Sequence, residues 1–333
     1  MKKSLLFTLF LVALFVQAQQ GPKPITVVEY KLENGLTVML TENHESASVF
    51  GIVTVKAGGK NDPKDATGIA HYLEHMLFKG TQEMGTIDYE KEKVHLDKIT
   101  ALYNQLAKTT DEEERKAIQQ AINKESIAAG DYAIANEIDK LLAEIGGTGV
   151  NAFTTEDYTA YMNAFPPNQI EKWLEIYSHR FENPVFRLFQ SELEAVYEEK
   201  NISMDDGFGL LFEELLSNVY KEHPYCQQTI LGSVEHLKNP SLQKMYEFYN
   251  TYYVANNMAL ILSGDFNIEE IKPMIEAKFG TWRSGVVPEF PKYTEAPFVK
   301  GEKMEAKATP IKVGAMTFRS PPNGDPDKLK YDI

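Results

Sequence analysis

Cysteine is almost missing from this chain: its 333 residues include a single one, Cys226. One thiol forms no internal disulfide, so stability has to come from the core and any bound metal. Nothing around Cys226 marks a nucleophile or a ligand, and it reads as an inert, partly buried thiol. Basic charge is scarce too, with 34 Lys and Arg against 48 Asp and Glu and a formal net charge of −14. That balance argues against a nucleic-acid partner and against anionic membranes. It tolerates basic peptides, but an acidic surface serving solubility is the better reading of the charge. Beyond the N-terminus no apolar run is long enough to cross a bilayer. What remains is 43% hydrophobic and 25% charged, globular material for two domains or for one large domain with extensions.

The chain opens with "MKKSLLFTLFLVALFVQAQQ". Lys2 and Lys3 precede an apolar run from Leu5 to Val16, and Val16-Gln17-Ala18 supplies a cleavage site. This is the layout of a signal peptide over residues 1–18, with the mature chain starting near Gln19. It predicts an exported protein, periplasmic or secreted, with no membrane span after cleavage. No cysteine follows the apolar run, so a lipid anchor on this segment is not expected.

"VVEYKL", the turn signal Asn34-Gly35 and "LTVML" predict a hairpin, and "SVFGIVTVKAG" a buried strand. "GIAHYLEHMLFKGT", residues 68–81, follows as a helix, with Thr67 as N-cap and Gly80 as its stop. Residues 88–144 are charged and rich in helix formers, which predicts a long helical hairpin with His95 on its surface. "VNAFTTEDYTAYMNAF" reads as strand, turn and strand. "PPNQIEKWLEIYSHRFENP" is an amphipathic helix, and "SELEAVYEEKNISMDD" another, opened by a Ser191/Glu194 capping box. Helices follow near 207–221 and 240–251, then the strand "NMALILSGDF" and the helix "IEEIKPMIEAKFGTW". Strands and helices mix without strict alternation, which favours an α+β fold. Pro288, Pro291 and Pro297 punctuate a linker at 285–309. "PIKVGAMTF" at 310–318 reads as a new strand, and "DPDKLKYDI" as a helix start without an end, as in a fragment of a longer chain.

The chemistry concentrates in "HYLEH". On a helix His71 and His75 share one face, with Glu74 beside them. Two imidazoles, a carboxylate and a water make an open catalytic zinc site, and a further glutamate next to the water serves as general base. This is the H-x-x-E-H arrangement. The competing reading is an ordinary buried helix. Against it, Ile69, Leu73, Met76 and Leu77 bury the same helix, where two histidines and a carboxylate need partners. A third protein ligand has to come from elsewhere. Glu192 and Glu199, two turns apart, share a stripe with Ala195 and Val196 that would face the core, whereas Glu194 and Glu198 read as cap and surface residues. Spacing alone does not rank Glu192 against Glu199.

"YKLENGLTVML", "VKAGGKNDP", "GIAHYLEHMLFKGT", "NAFTTEDYTAY", "LEAVYEEKNISMDD" and "NMALILSGDF" together resemble the M16 metallopeptidases, the family of pitrilysin, insulin-degrading enzyme and the mitochondrial processing peptidases. The resemblance covers roughly residues 26–280. It implies an M16-type catalytic domain over 24–284, a mixed or antiparallel sheet packed by helices, with residues 310–333 starting a second such domain. It implies one zinc ion held by His71, His75 and Glu199, with Glu74 as general base and Glu192 in support. It also implies that Asn151, Ala152 and Phe153 form an edge strand to which peptide substrate adds as a β-strand; without the resemblance this segment reads as a core hairpin. The activity implied is that of an exported zinc endopeptidase or oligopeptidase acting on peptides or small unfolded proteins, with a second M16-type domain or subunit completing the chamber. The rival is a non-catalytic subunit or peptide-binding scaffold. His75 and Glu199 lie farther apart than in the family's usual pattern, a surplus explained by the hairpin at 88–144 as an insert.

Overall fold

The computed structural model describes residues 25–305, 307, 312–322 and 324–330, so the signal segment lies outside the described residues, as does the Cys226 side chain. Six strands form one mixed sheet: β1 (Val28–Lys31), β2 (Thr37–Glu42), β3 (Val49–Val55), β4 (Thr148–Thr154), β5 (Thr159–Phe165) and β6 (Met258–Gly264), ordered β1-β2-β6-β3-β5-β4. Only β2 and β6 run parallel. β6, late in sequence, thus lies between β2 and β3 and ties residues near 260 into the centre of the fold.

The helices are α1 (Ile69–Met76), α2 (Tyr89–Leu106), α3 (Glu112–Gly130), α4 (Glu137–Glu144), α5 (Ile170–Glu182), α6 (Phe189–Asp205), α7 (Gly207–Val219), α8 (Pro224–Gln227), α9 (Val234–Lys238), α10 (Leu242–Tyr252) and α11 (Ile268–Phe279). Alternation along β3 buries Val49, Gly51, Val53 and Val55 while Phe50 stays exposed, as expected of a sheet packed mainly on one side. Gly51 admits Trp173 of α5: a Cβ there would lie 2.4 Å from the Trp173 Cζ2. Asn163 Oδ1 accepts from Trp173 Nε1 and from the Tyr177 hydroxyl, which satisfies three polar groups inside an aromatic layer.

The α+β class and the hairpin at Asn34-Gly35 match expectation, Gly35 taking the required positive φ of 89°. Several local readings are corrected. The N-cap of α1 is Gly68; Thr67 instead places its hydroxyl 2.8 Å from His236 Nδ1. The orphan amides of Gly68 and Ala70 go to the buried Asp62 carboxylate, six residues upstream of Gly68, and burial raises the pKa of that carboxylate to about 8 against both hydrogen bonds. Gly80 lies beyond the helix end at Met76, although its φ of 98° does mark a turn. α6 starts at Phe189, ahead of Ser191, after a left-handed Leu188, so the Ser191/Glu194 capping box does not form. The long second helix of the hairpin breaks at 131–136 into α3 and α4. His95 is half-buried between α2 and α3, its Nδ1 2.7 Å from Glu125 Oε2. Residues 312–318 form no strand, and 310–311 lie outside the described residues; "DPDKLK" yields only a short 3-10 turn at Lys328–Lys330. Among the described residues no helix is long and apolar enough to cross a membrane.

Candidate metal centre

α1 is buried by Ile69, Ala70, Tyr72, Leu73 and Met76, which leaves His71 and His75 together on its remaining face. Their side chains are 12% and 18% exposed and meet edge to face, with ring centroids 4.7 Å apart. His75 Nε2 lies 3.3 Å from His71 Nε2, and Glu199 Oε2 lies 3.4 Å from His71 Nε2 and 3.6 Å from His75 Nε2. Donors about 2.1 Å from a tetrahedral zinc sit about 3.4 Å from one another. The triangle therefore fits such an ion, and its two imidazoles and one carboxylate suit zinc. Among the described residues, His71, His75 and Glu199 are the group of His, Cys, Asp and Glu whose donor atoms converge in this way.

Glu192 and Glu199, both on α6, divide the work. Glu192 Oε1 lies 2.9 Å from His75 Nδ1, and its other oxygen lies 2.5 Å from Lys79 Nζ. A carboxylate behind a ligating imidazole fixes the tautomer that presents Nε2 to the metal. Burial pushes the Glu192 pKa up, but its bonds to His75 and Lys79 outweigh that and hold the group ionised below the usual range. Burial alone would lower His75, yet the Glu192 bond and the charges of Glu199, Glu192 and Glu74 raise it. His71 is pushed down to about 4, first by burial and then by His75, so it is neutral at pH 7, and its buried Nδ1 meets no hydrogen-bond partner among the described residues.

The expected stripe on α6 is rotated. Phe189, Leu193, Val196 and Lys200 are its buried face, Ala195 is exposed, and Glu192 and Glu199 flank that face, with the Glu199 side chain 45% exposed.

Glu74 is buried beside the triangle, and the Thr154 hydroxyl donates to its Oε2 at 2.5 Å. Burial raises its pKa, opposed by the Thr154 bond. Thr154 ends β4, one of the two edge strands, whose Asn151, Ala152 and Phe153 pair with β5 on one side only. Asn151 and Phe153 are exposed and Ala152 half-buried.

Sequence reasoning missed Thr154, Lys79 and Arg180. The Arg180 guanidinium is buried 3.9 Å from the centroid of the Phe78 ring, and its Nε donates to the Leu77 carbonyl at 3.0 Å, closing the C-terminal end of α1. Lys79, one turn beyond His75, was the most legible of the three; nothing in the sequence alone links Thr154 or Arg180 to α1.

The family comparison matches residues 37–97 and 129–232 to "Insulinase (Peptidase family M16)", and residues 240–333 to "Peptidase M16 inactive domain". The chain belongs to the M16 peptidase family. All five residues of the candidate centre lie inside the first match, which skips 98–128. The second match begins well before residue 310 and takes in β6. An "Uncharacterized zinc protease" of Rickettsia felis is 27% identical over 257 residues, 77% of this chain and 50% of that protein. Among solved structures, a protease from Helicobacter pylori superposes with a TM-score of 0.61 at 21% identity, over 81% of this chain and 53% of that one. The periplasmic protease PqqL from Escherichia coli gives 0.60 at 18%, over 83% and 26%. The chain thus spans about half the length of the curated relatives it matches.

Proposed function

We propose that this chain carries the catalytic site of an exported zinc metallopeptidase that hydrolyses internal bonds of peptides or small unfolded proteins. The observation that carries this reading is the convergence of His71, His75 and Glu199 donor atoms beside a buried Glu74. Zinc bound there would polarise the scissile carbonyl and bring the pKa of water down to about 7. Glu74 is the base: it takes a proton from the attacking water and returns it to the leaving amine. Thr154 fixes one of its oxygens and leaves the other to accept. Lys79 and Glu192 hold the His75 ring in register. The free edge of β4 offers unpaired backbone groups, so an extended peptide can add there irrespective of its sequence.

Names of relatives support the metal and the chemistry, and the N-terminal apolar segment supports export. Because relatives are about twice as long, a second M16-type domain or subunit is the expected partner in enclosing substrate. The intact His71, Glu74, His75 and Glu199 disfavour a scaffold without activity. Zinc analysis of the purified chain, combined with cleavage of a peptide panel by wild type and Glu74→Gln, tests the reading. Zinc at one equivalent with Glu74-dependent cleavage supports it. Zinc without cleavage by a chain extended to the relatives' length would make the metal structural, and neither zinc nor cleavage would leave the scaffold.

A further inference from the structure

Residues 98–128, which neither family match covers, touch the first turn of α6 through Tyr103. Tyr103 lies on α2 within that segment and is buried. Its ring stands edge-on to Phe189 at 5.1 Å between centroids, and its hydroxyl donates to Gln190 Oε1 at 2.5 Å. Phe189 also packs against Tyr72 at 4.8 Å, and the Tyr72 hydroxyl donates to the Phe189 carbonyl. Tyr72 is the neighbour of His71 on α1. Phe189 and Gln190 form the first turn of α6, just ahead of Glu192. One three-ring cluster therefore joins the insert, the helix of the histidines and the helix of the glutamates.

That first turn needs outside support. Leu188 enters it at a φ of 56° with no side-chain cap; a left-handed non-glycine residue costs about 1–3 kcal/mol and persists only where its surroundings hold it. The insert is itself anchored at its far end. Arg115 Nη1 donates to the Leu106 and Thr109 carbonyls, closing the α2–α3 turn, and Nη2 donates to Asn239 Oδ1 at 2.6 Å. A cleft of about 420 Å³, lined by Ile122, Leu193 and Tyr197 among others, separates insert from α6 beside the Tyr103 contact. Tyr103, together with Tyr72, is thus a point on which the start of α6 leans.

We propose that the helical insert braces the metal centre: Tyr103 is a positioning residue that fixes the first turn of α6, and through Glu192 the orientation of His75 and the reach of Glu199. This rests on the zinc reading above. The test measures zinc affinity by chelator competition, and the visible spectrum of the cobalt-substituted protein, for wild type, Tyr103→Ala, Tyr103→Phe and Gln190→Ala. Partners of metal ligands change affinity by about 10–100-fold; Tyr103 acts one contact further out, so Tyr103→Ala should weaken zinc by about 10-fold and alter the cobalt spectrum. Tyr103→Phe keeps the ring contacts and loses one hydrogen bond, for an expected loss of about two- to fivefold, and Gln190→Ala should match it. A folded Tyr103→Ala with wild-type zinc affinity and cobalt spectrum overturns the brace. Should that variant fail to fold, unchanged affinity in both Tyr103→Phe and Gln190→Ala overturns it instead. Wild type that binds no zinc removes the metal reading itself, and the brace with it; zinc-binding wild type with unaltered variants removes the brace alone.

Discussion

Two apolar stretches, "MALILSG" at 258–264 and "KVGAMTF" at 312–318, end differently. The first is β6, with Met258, Leu260 and Leu262 at 4%, 0% and 0% exposure. The second adopts no regular structure, with Val313, Met316 and Phe318 at 51%, 89% and 82%. Composition does not separate them. β6 has β2 on one flank and β3 on the other, together with helices over one face, whereas no described strand lies alongside 312–318. Strand propensity measures how well a residue fits a pleated surface that already exists. A strand is specified by its neighbours as much as by its own residues.

The sharpest way to break the contrast is to ask whether function sits in the packed region alone. Glu74→Gln keeps the shape of the side chain and removes the proposed base, so bound zinc should persist while turnover falls by about 10²–10⁴. Peptide cleavage alongside metal analysis checks this; wild-type turnover in that variant would remove Glu74 from the chemistry. The next effect is on stability. Leu260→Ala opens a cavity at the sheet centre and should cost about 2–5 kcal/mol, read from denaturant midpoints.

The same rule explains what the sequence could disclose about the site. His71, Glu74 and His75 were legible because one helix places all three, and helical spacing is a local property. Spacing gives Glu192 and Glu199 as a pair but not their orientation, because Phe189 and Leu193, not Ala195, set the buried face of α6. Thr154 lies 80 positions from Glu74, and its hydrogen bond depends on β4 lying against α1. Thr67 looked like a cap and Ser191 like a capping box because both patterns are local; the hydroxyl of Thr67 went to His236, and the Phe189 anchor moved the start of α6. Local periodicity carried the fold class, and non-local contacts decided the caps and the supports of the site.

Metal should stabilise the packed region specifically. A ligand that binds only the folded state contributes RT ln(1 + [L]/Kd), about 2.7 kcal/mol at a hundred times Kd. Zinc added at that excess should raise the unfolding midpoint of wild type, and chelation should reverse the gain. His71→Ala, which removes one of the three proposed donors, should lose most of it. An equal zinc response in His71→Ala would show that the ion stabilises from somewhere else.

The smallest effect is expected in the unpartnered stretch, and it separates two accounts of that stretch. Met316 is 89% exposed, so Met316→Ala removes almost no buried surface in this chain and should change stability by less than about 0.5 kcal/mol. If residues 312–318 are surface coil by nature, the substitution stays silent in any longer version of the protein. If, as the family resemblance implies, they belong to a second M16-type domain, extending the chain to the length of its relatives gives them strands to pair with and buries alternate side chains. Met316 or Val313, three positions apart and therefore on opposite faces, must then face that core, because strand residues alternate between faces. One of Met316→Ala and Val313→Ala should then become costly: about 2–5 kcal/mol for the methionine, somewhat less for the smaller valine. Unfolding curves of both variants in the short and the extended chains decide it. Silence of both in the extended protein would show that this alternating apolar stretch is no strand even when partners are at hand.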